Sequence, residues 1–235
     1  MSARRPPSRL SIRTMYLRAA LPGLFRLLLR RPPTFSFSGQ TYTYFFARYN
    51  VTWMNERSVE IPIAMEALEL ARSSNILEVG NVTSRYRPEL RHDIVDRYEK
   101  GNPRVRNHDA RTFAPSKLYD LILSVSTLEH VGWDENPREP EKAWQTIRHL
   151  SSLLAPEGRL LLTIPAGYHP ALDLALLNGN ALLESLRALK RKSIWNDWKE
   201  CSPTDAVACH FGRPYPFANA LLVCSIRAGC VPATS

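Results

Sequence analysis

Asn75-Ile76-Leu77-Glu78-Val79-Gly80-Asn81-Val82-Thr83 is the stretch that decides the fold. It is a short apolar run that passes through one acidic residue and stops at a glycine. A parallel strand buried on both faces reads this way, apolar throughout and ended by a turn. In open α/β sheets the ligand crevice lies beyond the carboxyl ends of such strands, where the strand order reverses. Gly80 is therefore expected to floor a nucleotide-type pocket.

The chain around this stretch is long enough, at 235 residues, for one well-buried domain and short for two. Its 44% hydrophobic and 23% charged content is that of an ordinary globular protein. The net charge of +9 is not spread over the fold. No Asp or Glu precedes Glu56, whereas nine arginines do, and those nine equal the whole excess. The body from residue 56 onward is neutral, which argues against a basic nucleic-acid face. The four cysteines, Cys201, Cys209, Cys224 and Cys230, match no zinc spacing and read as buried thiols in a reducing, cytoplasmic setting.

Upstream, residues 1–33 form a compositional zone of their own, arginines interleaved with Leu21, Leu24, Phe25, Leu27, Leu28 and Leu29. No run approaches the length of a membrane span. Three readings stay open: a frayed tail, a basic amphipathic segment held peripherally on an anionic membrane, or an organelle transit peptide. Liposome flotation of the intact chain against a version lacking these residues separates tail from anchor. The domain proper is expected over 34–235, with 34–72 serving as an aromatic apron and first helix. From Phe35 to Trp53 the aromatics alternate in part, suggesting short extended pieces that cover core or form a lid. Pro62 suits the first turn of a helix reaching about Arg72.

Downstream, Ile94-Val95 reads as a strand ending at Asp96, and a third strand around Val105 leads to Asp109. An acid some 20 residues beyond a first-strand glycine can accept hydrogen bonds from a ribose. Tyr119 to Ser124 is a fourth strand running into Val125-Ser126-Thr127-Leu128-Glu129-His130. After a polar loop, Pro140 opens a helix whose Ala143, Ile147, Leu150 and Leu154 share a face. Pro156-Glu157-Gly158 turns into a fifth strand, Arg159 to Ile164. Leu172 to Arg191 reads as a further helix, and two closing strands are expected between Ile194 and Ile226.

In order and spacing, the strand–acid–glycine stretch, Asp96, Asp109, the Leu128-Glu129-His130-Val131 block and the Leu153 to Thr163 block resemble the class I S-adenosylmethionine-dependent methyltransferases. The likeness is detailed over residues 60–167 and general elsewhere. It implies a Rossmann-like α/β fold: a seven-stranded, mostly parallel sheet with helices on both faces and an antiparallel last strand. It implies S-adenosyl-L-methionine as cofactor. Glu78, Gly80 and Asn81 would then stand around its methionine part, Asp96 at the ribose, Asp109 and Ala110 beside the adenine, and Ser124 and Ser126 near the sulfonium. One departure is plain. The family's Gly-x-Gly-x-Gly is here Gly80-Asn81-Val82-Thr83-Ser84, with only the first glycine kept; Asn tolerates positive φ, but a β-branched Val does so at a cost.

Methyl transfer to oxygen or nitrogen often needs a base, and His130 is the candidate by its place and its pKa range. Glu129 is a second catalytic candidate, or a cap for the next turn. Trp133, Asp134, Tyr168 and His169 would border the acceptor. His92, His108, His149 and His210 read as structural or exposed, and no metal set is apparent. The expected function is methyl transfer to a small-molecule or glycan/lipid-linked acceptor. The alternative is an inactive binding or scaffold module of the same fold, motivated by the missing glycines. An NAD-dependent enzyme is a weaker third reading, since the Gly-x-Gly-x-x-Gly fingerprint is absent.

Overall fold

The computed structural model describes residues 33–71, 74–179 and 182–228; the basic segment 1–32 and Cys230 lie outside the described residues. A hairpin of β1 (Thr34–Phe37) and β2 (Gln40–Thr43) comes first, then a 3-10 segment, Tyr49–Met54, and helix α1 (Arg57–Leu70). Next are β3 (Ile76–Val79), a one-turn helix α2 (Thr83–Tyr86), β4 (Asp93–Val95), β5 (Val105–Arg106) and β6 (Tyr119–Val125). The chain continues through α3 (Lys142–Ser151), β7 (Leu154–Pro165), α4 (Pro170–Asn178), β8 (Ser185–Arg191), β9 (Trp198–Cys201), α5 (Pro203–Val207) and β10 (Ala220–Arg227).

Eight strands form one sheet in the order β5-β4-β3-β6-β7-β10-β8-β9. The five strands from β5 to β7 are parallel, and β10 runs antiparallel to both its neighbours, β7 and β8. The architecture is the expected Rossmann-like α/β sheet with its antiparallel last strand. It carries one strand more than the seven expected, because Trp198–Cys201 pairs along the open side of β8.

Two elements depart from the sequence reading. Helix α1 begins five residues before Pro62, so the proline lies inside it. Proline has no N–H to give the carbonyl four residues back. That carbonyl, on Ser58, accepts instead from the Phe45 N–H at 2.9 Å, so the freed acceptor ties the aromatic segment to the helix. The stretch expected as a helix from Leu172 to Arg191 divides into α4 and β8. His169 and Pro170 start the helix early, and it stops at Asn178. Ser185–Arg191 then pairs along β10 although Leu, Ala, Lys and Arg favour helix, tertiary pairing overriding local propensity.

The sheet is buried from both sides. Ile147 and Leu150 of α3 and Leu172 and Leu176 of α4 pack with Ile122, Leu160 and Leu222. On the other face Ala64 and Leu68 of α1 cover Leu121 and Leu123. Phe35, Phe37 and Tyr44 pack with Leu189, Trp198 and Val223, so the aromatic segment covers core at the β8–β10 end. Among the described residues no helix is long and apolar enough to cross a membrane.

Candidate active site

The strand order reverses between β3 and β6, and at their carboxyl ends lies a cavity of about 290 Å³. Gly80, Asp96, Asp109, Ser126, Thr127 and His130 are among its walls. Gly80 sits at φ +83°, and a Cβ there would stand 2.3 Å from Thr127 Oγ1. Glycine is thus required twice, by its backbone and by the close approach of the chain leaving β6.

The turn after Gly80 is built without further glycines. Val82 has φ −103°, a conformation open to a β-branched residue, and the chain passes straight into α2. Glu78, fully buried, receives the turn's donors. Val82 N–H and Thr83 N–H donate to its Oε1 at 3.0 and 2.6 Å, and Thr83 Oγ1 donates to Oε2 at 2.8 Å. His92 Nε2 meets the same Oε2 at 2.8 Å. Asn81 donates to Glu99 through Nδ2 at 2.9 and 3.0 Å and accepts from Ser84. Glu78 and Asn81 therefore brace the floor from below and stand outside the cavity lining, and the three carboxylates expected to converge there are reduced to two.

Asp96 and Asp109 do face the cavity. Asp96 uses Oδ1 to accept from Tyr98 N–H and Glu99 N–H at 2.7 and 2.9 Å, an arrangement that fixes the side chain. Its Oδ2 has no hydrogen-bond partner among the described residues. Asp109 is more heavily engaged. It accepts from Arg111 N–H at 3.0 Å and Arg97 Nη1 at 2.9 Å, with Lys142 Nζ at 3.5 Å. Burial opposes its charge, but these three donors outweigh burial and hold its carboxyl below the usual range. Lys142 also binds Glu135 at 2.6 Å, closing a four-membered charge network at this end, with Ala110 alongside.

At the end of β6, Ser126 has φ +39°, its N–H donates to Thr163 O at 2.9 Å, and its hydroxyl donates to the buried Glu60. Glu60 also binds Arg57 and Thr163. Ser124 lies inside the sheet away from the cavity, its hydroxyl unpartnered. His130 lines the cavity, and its Nδ1 is 2.6 Å from Asp134 Oδ2. Tyr168 donates its hydroxyl to the same carboxylate at 2.8 Å and sets its ring edge-on to His130, centroids 4.8 Å apart. Burial and then Asp134 raise the Tyr168 pKa, keeping the phenol a donor. Glu129 is buried with Oε2 unpartnered, and burial lifts its pKa well above the carboxylate range. Its Oε1 is 3.6 Å from His130 Nε2.

Trp133 stacks on His169 at 4.6 Å with Arg138 over its other side, beside the cavity and outside its lining. His169 caps α4, its Nδ1 accepting from Leu172 N–H at 3.2 Å, and burial lowers its pKa. Thr127, Arg97, His108 and Glu135 line the cavity and were not among the sequence candidates. His108 is exposed, as the sequence suggests, and lies at the edge of this lining. Thr127 and Arg97 carried a signal, each lying two residues beyond a strand end.

No family model matches the chain, and no curated protein matches it. Solved structures similar to it include the N-methyltransferase NodS of Bradyrhizobium japonicum WM9 in complex with S-adenosyl-L-homocysteine. It is 16% identical, with 70% of this chain and 85% of that one covered and a TM-score of 0.45. A Thermotoga maritima S-adenosylmethionine-dependent methyltransferase, described as a possible histamine N-methyltransferase, is 14% identical over 70% and 88%, TM-score 0.42. The plantazolicin methyltransferase BpumL, with a monoazolic analogue and S-adenosyl-homocysteine, is 14% identical over 73% and 86%, TM-score 0.42. The fold itself is read from this chain's own sheet: the strand order, with the antiparallel β10 inserted beside β7, is that of a Rossmann-like class I methyltransferase fold.

Proposed function

We propose that this chain binds S-adenosyl-L-methionine in the cavity above Gly80 and transfers its methyl group to a small-molecule or glycan/lipid-linked acceptor. One observation carries the reading. Asp96 is fixed through Oδ1 and leaves Oδ2 free, an ionised oxygen whose two lone pairs can accept from the hydroxyls of a ribose diol. Gly80 lets the chain leaving β6 close against the turn, so that Thr127 stands in the cavity wall beside it. Val82 and Ser84, the residues in place of the missing glycines, stay out of the cavity, which supports a binding site over a decayed one.

When bound, the cofactor would supply an electrophilic methyl group, and alignment would account for much of the rate. The chain's part is to orient the acceptor and remove its proton. Asp134 fixes Nδ1 of His130 as the donor, which leaves Nε2 to receive a proton from an acceptor hydroxyl or amine. Tyr168 donates to the same carboxylate of Asp134, at 3.0 and 2.8 Å from its two oxygens.

Isothermal titration with S-adenosyl-homocysteine tests the reading. The intact chain is expected to bind, and Asp96→Asn to bind about ten- to a hundredfold more weakly, as loss of a charged hydrogen-bond acceptor implies. No heat at millimolar ligand would remove it.

A further inference from the structure

At the opposite ends of the same strands lies a second cavity of about 380 Å³, where β3 and β4 begin. Arg91, His92, Asp93, Arg104 and Lys117 line it beside Ser74 and Asn75, so three cationic side chains face one carboxylate. That carboxylate is already engaged. Asp93 accepts from Tyr119 Oη at 2.9 Å, pairs with Lys117 Nζ at 3.0 Å and lies 3.6 Å from Arg106.

Neither arginine forms an ion pair with a carboxylate among the described residues, though Arg91 lies within electrostatic reach of the exposed Glu89. Backbone carbonyls hold both arginines. Arg91 Nη1 donates to Pro88 O at 2.8 Å and Leu90 O at 3.2 Å. Arg104 Nη1 donates to the same Pro88 O at 3.1 Å, and its Nη2 to the same Leu90 O. Two guanidinium groups thus share one pair of carbonyls, which places their Nη1 atoms within about 6 Å of each other, at a separation where like charges repel. The carbonyls hold the two guanidinium planes, and the N–H groups they do not use, on Nε and Nη2 of Arg91 and Nε of Arg104, suit the oxygens of a phosphoryl group, with Lys117 adding a point charge beside them.

We propose that this cavity binds an oxyanion of the phosphate class, either free or as the phosphoryl group of a small molecule or lipid headgroup. The lining has two more cations than anions, which suits a dianion better than a single carboxylate. The volume leaves room for the group that carries the phosphoryl. The site shares none of the residues that line the cavity above Gly80, so its failure and that of the methyl-transfer reading are separable.

The test is calorimetric titration of the full chain with inorganic phosphate in a phosphate-free buffer. Saturable binding is expected, weakened at least about tenfold in Arg91→Gln/Arg104→Gln. It is expected to be unchanged in Arg148→Gln, an exposed position on α3. Should the double variant fail to fold by circular dichroism, Lys117→Gln is expected to weaken binding severalfold and takes its place. A second arm finds the source. Flotation with phosphatidic acid vesicles, but not phosphatidylcholine vesicles, that is reduced in the double variant supports a lipid headgroup. Saturable phosphate binding with equal flotation of both proteins supports a soluble phosphoryl compound. Absence of saturable binding, or equal phosphate affinity in wild type and variant, overturns the proposal.

Discussion

Gly80 shows what a single residue carries here. Two costs are stacked on any side chain at this position: the backbone at φ +83°, and the 2.3 Å approach to Thr127 Oγ1. The two can be separated. Gly80→Ala is expected to destabilise the fold by at least about 1–3 kcal/mol, the usual toll of a non-glycine residue in such a conformation. Adding Thr127→Ala removes the hydroxyl and methyl it meets, and should recover part of the loss but never all of it. Urea unfolding of the two variants measures the partition; full recovery would mean that the backbone term is absent. Val82 makes the complementary point. Its β-branched side chain looked incompatible with a glycine-type turn. The incompatibility is removed by φ −103° and by the carboxylate of Glu78, which takes up the turn's N–H groups.

At the scale of an element, α4 is instructive because a side-chain cap sets its start and burial sets the charge of its first turn. His169 caps it, and Asp173 in its first turn accepts from Gly167 N–H at 2.8 Å, with Oδ1 unpartnered. Burial raises the Asp173 pKa to about 6, the Gly167 bond opposing only in part. A folded-state pKa above the unfolded value means that the native state binds the extra proton. The resulting stabilisation is full below about pH 4 and is lost as pH rises through about 6, a change on the order of 2–3 kcal/mol. Asp173→Asn lacks this titration. The stability difference between variant and wild type, followed by urea unfolding from pH 4 to pH 8, should shift in the variant's favour as pH rises. A difference that stays flat across that range would contradict the assignment. The same helix explains a misreading, since its early stop at Asn178 frees Ser185–Arg191 for the sheet. Arg191 there is buried and donates to the carbonyls of Met54, Ser193, Ile194 and Pro216. A basic last helical turn and a buried carbonyl clamp look alike in a sequence.

Over the whole molecule, the hairpin before α1 packs as core at the β8–β10 end, while Phe45 and Tyr49 pack on Tyr86 of α2. Phe35 is 4% exposed and packs with Tyr42 and Tyr44, its centroid 5.3 and 4.9 Å from theirs. Phe35→Ala is therefore expected to cost about 3–5 kcal/mol in thermal or urea unfolding while leaving S-adenosyl-homocysteine affinity within error. A small stability change with a large affinity change would return this segment to the role of a lid. By itself, the sequence determined the central strands, the switch point at Gly80, and Asp96 and Asp109 at strand ends, because buried parallel strands and the acids beyond them write a local pattern. It could not assign Glu78 and Asn81 to the floor, split the helix expected after Leu172, or join His130, Asp134 and Tyr168. Those depend on which groups meet across the fold. The eighth strand and the two arginines sharing the Pro88 and Leu90 carbonyls were settled the same way, by strand pairing and hydrogen-bond satisfaction between segments far apart or unpatterned in the chain.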